Sequence, residues 1–424
     1  MKVLWVVYSI FPDFSKTLGI TPPVGGGWMY GLAKDLKEKG VSLTVVTART
    51  LTKKKSEVID GITYHLLPAT KDREKYDISL VPEWKKIIEE VQPDVVHIHG
   101  TEYALGLSLM DACPNLRYVA SIQGMTSVYA RYFLGGISRR EIYSNYTFRD
   151  FIRRDSPIQG QRKFEDRGKK IEIPYIKRIQ NIIGRTQWDH DHASTINPKT
   201  NYLFCNESLR DSFYEAGKWR MTQENQYSIF VSQAGYPLKG LHKVLEAVAI
   251  IKDEFPQIKL RVARNNITKS DTFFDRLRLK GYGKYLKKLI KRHNLEDIIS
   301  FTGPLDEQQM VNQYLNSHIF ICPSSIENSP NSLGEAQLLG VPCIASYVGG
   351  VPDMVAHRKT GLLYRFEEVE MLAQSIKDLF SNSDLCESLS SNGIIEASKR
   401  HNKDTNSNRL IEIYGLISKK QVST

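Results

Sequence analysis

Two glutamates, Glu327 and Glu335, stand with seven residues between them in the stretch SSIENSPNSLGEAQLLGVPCIASYVGGVP, Ser324 to Pro352. The apolar run HIFICPS before them reads as a buried strand and NSLGEAQLLG as a helix. Glu327 then lies in the loop at the strand's carboxyl end, and Glu335 in the first turns of the helix. The free amides near Asn331, Ser332 and Leu333 would form an anion site at a helix N-terminus, suited to phosphate. A carboxylate beside such a site can accept hydrogen bonds from the two vicinal hydroxyls of a ribose. The pattern therefore reads as a sugar-nucleotide site: amides for phosphate, one acid for the ribose, the other for a sugar. A glycosidase pair would instead flank a scissile bond.

Other residues invite other chemistry. His97 and His99 end a strand-like run and are expected to divide, one facing the core and one the cleft mouth. Asp189-His190-Asp191, in WDHDHA, has the spacing of a DxD metal motif. No clean strand precedes it, so acceptor contact or structural capping is expected there in preference to a metal. The formal net charge of +11 asks for an anionic partner: nucleotide, nucleic acid or anionic membrane. Nucleic acid is not expected, because no recognition helix, aromatic RNA-binding strand or zinc module accompanies the charge.

The elements that must position these residues follow an α/β rhythm. A chain of 424 residues fits two domains of about 200 residues each. VLWVVY, LTVVT, DVVHIH and YVASIQ alternate with helical patterns in the first half; YSIFVSQ, IKLRVA, IISFTG, HIFICPS and VPCIAS restart the series in the second. Two Rossmann-like domains facing across a cleft are predicted, with ligands at the carboxyl ends of the strands. The expected division is 1–218, with a helix at 403–424 packing back on it, and 219–402. The opening MKVLWVVYSIFP reads as a buried strand and not a signal peptide. Five scattered cysteines without a CxxC pair argue against disulfides and structural zinc, and for a reducing cytoplasm. One region breaks the rhythm: Tyr129 to Gln180 is rich in aromatic and basic residues. It reads either as a solvated helical insertion or as a surface resting on anionic lipid, which would place the first domain against the inner face of the membrane.

Glu-x7-Glu, EAQLLGVPCIAS, GGVPDMV, the early Gly25-Gly26-Gly27, DVVHIHG, LKG at 238–240 and FTGPL at 301–305, in this order, resemble the retaining GT-B glycosyltransferases of family GT4, of bacterial surface-polysaccharide type. The resemblance implies that Glu327 contacts donor-sugar hydroxyls and Glu335 the ribose. It also implies that Asn331 to Leu333 hold phosphate and sugar, that Lys239 binds the diphosphate, and that Gly25 to Gly27 let the backbone approach it. His99 matches the family's active-site histidine; His97 is left to structure. No metal cofactor is expected. The implied reaction moves a sugar from a nucleoside-diphosphate sugar to a glycan or lipid-linked acceptor with retention. A sugar-nucleotide 2-epimerase and a non-catalytic nucleotide-sugar-binding protein are the alternatives. The chain departs from the pattern at Gln233, where an Arg is usual six residues before the lysine, and at Arg264, where Gly is usual. Arg264 is a candidate to supply the missing cation.

Overall fold

A computed structural model of the chain describes residues 1–21 and 27–419. Two compact units share out the chain: unit one is Met1–Ser127, Asp166–Arg210 and His401–Thr424, and unit two is Val128–Glu165 and Asp211–Arg400.

Unit one is built on β1 (Lys2–Val6), β2 (Ser42–Thr50), β3 (Lys55–Ile59), β4 (Ile62–Ala69), β5 (Val95–His99), β6 (Tyr118–Ser121), β7 (Asn181–Gly184) and β8 (Asn201–Phe204). They form one sheet in the order β3-β4-β2-β1-β5-β6-β7-β8, parallel except for the β3–β4 hairpin. Strands such as VLWV and VVHIH are buried from end to end, because helices cover both faces of a parallel sheet. The order reverses between β1 and β5, which is where a doubly wound sheet opens its crevice. The C-terminal helix Lys403–Lys419 belongs to this unit and touches the helix Gly27–Glu38. Its buried Tyr414 hydroxyl accepts from Trp5 Nε1 at 2.8 Å and pairs with His97 Nδ1 at 2.6 Å.

Unit two carries β9 (Ser228–Val231), β10 (Lys259–Val262), β11 (Ile299–Phe301), β12 (Ile319–Cys322), β13 (Cys343–Ser346) and β14 (Leu362–Tyr364). The order is β11-β10-β9-β12-β13-β14, all parallel, with its reversal between β9 and β12. The predicted helical stripes are the buried ones: Leu241, Val244, Leu245 and Val248, then Tyr282, Tyr285, Leu286 and Leu289.

Sequence order and packing part company at the basic, aromatic region. Residues 128–165 cluster with unit two and not with the first domain, as their place in the chain had suggested. Three polar ties explain it. His242 Nε2 lies 2.8 Å from the Gly135 carbonyl, and Ser325 Oγ donates to the Tyr132 carbonyl at 2.8 Å. Asp150, fully buried, accepts the Gly281 amide at 2.9 Å. The rest of that region, residues 166–180, stays with unit one, so only a membrane contact made by residues 128–165 would belong to unit two. Among the described residues no helix is long and apolar enough to cross a membrane.

Candidate active site

The loops that leave β9 and β12 flank the reversal of unit two, and their backbones are locked together. After β9 the chain turns through Pro237–Lys239 into Gly240, whose φ of 70° is left-handed; a Cβ there would strike the Pro323 carbonyl. Ser325 N donates to the Leu238 carbonyl at 2.8 Å. On the other side, Gly350 N donates to the Glu327 carbonyl at 3.0 Å, and Ser346 Oγ donates to the Ser324 carbonyl at 2.5 Å. Loops of three neighbouring strands thus clamp the Glu327 backbone.

Within that clamp Lys239 Nζ donates to Glu327 Oε1 at 2.5 Å, and Ser324 Oγ donates to the same oxygen at 2.8 Å. The two charged side chains are 13% and 11% exposed, so the pair is screened little by solvent. Burial alone would lower the Lys239 ammonium, but the Glu327 carboxylate outweighs it and holds the lysine above its usual range. The ammonium has three N–H donors, of which Glu327 uses one, leaving capacity for phosphate oxygens.

The helix Asn331–Leu339 starts at Pro330 without a side-chain cap. The Leu333 and Gly334 amides turn back to the Pro330 carbonyl at 2.9 and 3.3 Å. Asn331 and Ser332 are left as the outward amides, so of the three expected phosphate donors Leu333 is already engaged. Asn331 Oδ1 is buried without a hydrogen-bond partner. Glu335 is buried one turn further along the same helix. Gln233 and Arg264 stand at matching positions beyond neighbouring strands: β9 and β10 pair Val231 with Val262, and each residue lies two positions beyond. Gln233 is half-buried and Arg264 exposed. Arg264 has a φ of 83°, in a backbone bridge to Gly303, which is itself left-handed. This geometry gives the physical reason a glycine suits the position.

In unit one, His97 and His99 do not divide between core and cleft. Residues two apart on a strand share a face, and their rings lie 3.9 Å apart, both buried. His97 is fully used, by Tyr414 and by Ser121 Oγ at 2.6 Å. Neither ring nitrogen of His99 has a partner, and burial pushes its pKa down to about 3, so the imidazole is neutral. It lines a small cavity with Ser121, Arg185 and Glu207, the last two an ion pair. Asp189 is structural: it accepts the Arg185 amide at 3.0 Å and the Tyr202 hydroxyl at 2.5 Å, while His190 and Asp191 pair at the surface. Gly27 opens the helix Gly27–Glu38; Gly25 and Gly26 lie outside the described residues.

Unit one also holds features that the sequence did not single out. A cleft of about 440 Å³ at the carboxyl ends of β2 and β4 is lined by Tyr8, Arg49, Lys71, Arg73 and Lys75. Its KDREK run reads in sequence only as a solvated charged loop. Arg73 lies 4.5 Å from the Tyr103 ring, and nearby burial pushes the Glu102 carboxyl up to about 7. A lone acid three residues past His99 carries no sequence signal of that shift.

Residues 215–396 match the family model described as glycosyl transferases group 1, and residues 27–155 that of glycosyltransferase family 4. The Anabaena protein Alr3699/HepE, solved in complex with UDP and glucose, superposes with a TM-score of 0.66 at 16% identity, over 98% of this chain and 100% of that one. The fold is that of the GT-B class of glycosyltransferases. With both family models matched in chain order, this protein belongs to the group 1 glycosyltransferases, family GT4. The D-inositol 3-phosphate glycosyltransferase of Streptomyces coelicolor is 28% identical over 149 residues, 35% of this chain and 32% of that protein. The capsular polysaccharide biosynthesis glycosyltransferase CapM of Staphylococcus aureus is 27% identical over 160 residues, 37% of each. The matched stretch spans about a third of the length of these relatives.

Proposed function

We propose that this chain is a retaining hexosyltransferase, moving a sugar from a nucleoside-diphosphate sugar to a hydroxyl of a glycan or lipid-linked acceptor. It acts in the cytoplasm at the inner membrane face, in capsular or exopolysaccharide synthesis. The observation that carries the reading is the buried Lys239–Glu327 pair beside the open N-terminus of the helix Asn331–Leu339, at the strand reversal of unit two. A cation and helix amides suit a diphosphate, and buried acids suit sugar and ribose hydroxyls. A relative named for capsular polysaccharide and a neighbour solved with UDP and glucose support the pathway and the donor.

In this reading the acceptor oxygen bonds to the anomeric carbon on the face that the diphosphate leaves, and the acceptor proton passes to a phosphate oxygen of the leaving group. Lys239 and the amides of Asn331 and Ser332 stabilise the charge growing on that diphosphate, so the step needs no bound metal. Glu327 orients the sugar and stabilises its oxocarbenium character, and Glu335 holds the ribose. Gln233 and Arg264 border the phosphates. Unit one binds the acceptor, with neutral His99 as a hydrogen-bonding partner to substrate.

A panel of UDP-, GDP- and ADP-sugars tests this, by thermal stabilisation and by nucleoside diphosphate release with and without polysaccharide-type acceptors. One donor should stabilise the chain, with release that rises with acceptor and an α or β product matching the donor. A new nucleotide sugar formed from donor alone would mark a 2-epimerase, and binding without release a non-catalytic binder. No response to any donor would overturn the reading.

A further inference from the structure

Two short helices of unit two carry large apolar side chains that the fold leaves in solvent. Phe148 and Phe151 on the helix Phe148–Arg153 are 65% and 71% exposed, and Phe273 and Phe274 on the helix Phe273–Arg278 are 68% and 70% exposed. The two helices pack against each other, and the Phe273 and Phe274 rings meet edge to face at 6.1 Å; Ile152 and Leu277 on the same helices are exposed as well. The second helix buries no residue at all, so its apolar side chains add nothing to the core. Single exposed apolar residues need no explanation, but four exposed phenylalanines on two adjoining helices point to an interaction surface.

The face is held firmly. Thr147 and Asp150 form a capping box at the start of the first helix, and buried Asp150 also accepts the Gly281 amide. A matching box of Thr272 and Asp275 caps the second. The surroundings are cationic: residues 139–155 and 269–292 carry fourteen Lys and Arg against five Asp and Glu. Two of those acids are tied up, Asp155 by Lys280 at 2.7 Å and Asp150 within the fold. Arg153, Arg276 and Arg278 are exposed on the two aromatic helices themselves, and Arg154 just past the end of the first.

We propose that this paired-helix face docks unit two on an anionic lipid bilayer, the four phenylalanines entering the acyl boundary and the arginines and lysines meeting headgroup phosphates. Exposed apolar rings among cations on two adjoining helices match the interfacial zone of a bilayer. A symmetric second copy matches it poorly, because an isologous contact would press two cationic rims together. The docking serves the transferase reading by bringing the enzyme to a lipid-linked acceptor, and rests on that reading only for its purpose.

The test is flotation of the full chain with phosphatidylcholine vesicles and with vesicles containing phosphatidylglycerol, at low and high salt. Binding should require the anionic lipid and fall with salt. Phe151→Ser with Phe274→Ser, and separately Arg153→Glu with Arg154→Glu, should each weaken it at least about tenfold, with thermal stability and donor stabilisation unchanged because these side chains are in solvent. Wild-type protein that stays in solution at low salt, that floats equally with neutral vesicles, or whose binding both variants leave intact would overturn the proposal. So would loss of a concentration-dependent dimer, in place of flotation, in the phenylalanine variant. A chain that floats but responds to no donor would remove the transferase reading and leave the docking surface standing.

Discussion

Lys239 and Glu327 neutralise each other in a crevice that solvent screens little, so each is costly to leave alone. Glu327→Gln should lower kcat far more than donor Kd, because a sugar-side contact counts most as charge builds at the anomeric carbon. Glu335→Ala should mainly raise donor Kd. Equal and small effects of both on single-turnover rate and on calorimetric Kd would refute these roles. Arg264 offers a sharper residue-scale test. Its backbone is left-handed, with a φ of 83°, a conformation that costs a side-chain-bearing residue about 1 kcal/mol relative to glycine. Arg264→Gly should therefore stabilise the fold by about that amount, while Arg264→Ala should not. If the guanidinium reaches donor phosphates, both variants lose about 1 to 3 kcal/mol of donor binding. Normal affinity in both would leave the site to Lys239 alone.

At the scale of elements, what holds residues 128–165 to unit two is a few buried polar ties, and one of them titrates. His242 is buried between Gly135 and Tyr282, and burial lowers its pKa to about 4, against a partial offset from the Gly135 carbonyl. A depressed histidine pKa means that its contribution is complete above the unfolded value near 6.5 and is lost as pH falls towards 4. The loss is about 1.4 kcal/mol per pH unit in that window. Wild type should be more stable than His242→Gln at pH 7, and by pH 5 the gap should shrink by about 2 kcal/mol. A gap that is the same at both pH values in urea denaturation would show that His242 is not buried in its neutral form.

For the whole molecule, the C-terminal helix returns to unit one after the chain has built unit two. Tyr414 completes the hydrogen bonding of both Trp5 and His97 in the core of unit one. Tyr414→Phe should cost about 1 to 3 kcal/mol, the price of buried donors left without an acceptor. Four of the five tryptophans, Trp5, Trp28, Trp84 and Trp188, lie in unit one. Their fluorescence should report an earlier unfolding transition in the variant, with donor stabilisation of unit two retained. An unshifted fluorescence transition would mean that the helix does not support unit one.

Much of this protein was legible in its sequence because parallel sheets bury whole strands, and the periodicity that results survives without any knowledge of neighbours. The two strand series, the helix stripes and the loop-then-helix placing of Glu327 and Glu335 all follow from local pattern. The pairing of Lys239 with Glu327 joins residues 88 positions apart, and only the strand order β9–β12 brings their loops together. The two histidines were misassigned because both share one strand face, a matter of strand geometry that packing makes plain. The allegiance of residues 128–165 was hidden for a deeper reason: chain order says nothing about which core a segment's polar groups will find. Asp150 meets Gly281, and His242 meets Gly135, across more than a hundred residues each. Sequence determines which residues must be buried and in what periodicity; tertiary structure alone decides which buried groups satisfy one another, since a hydrogen bond depends on distance in space and not along the chain.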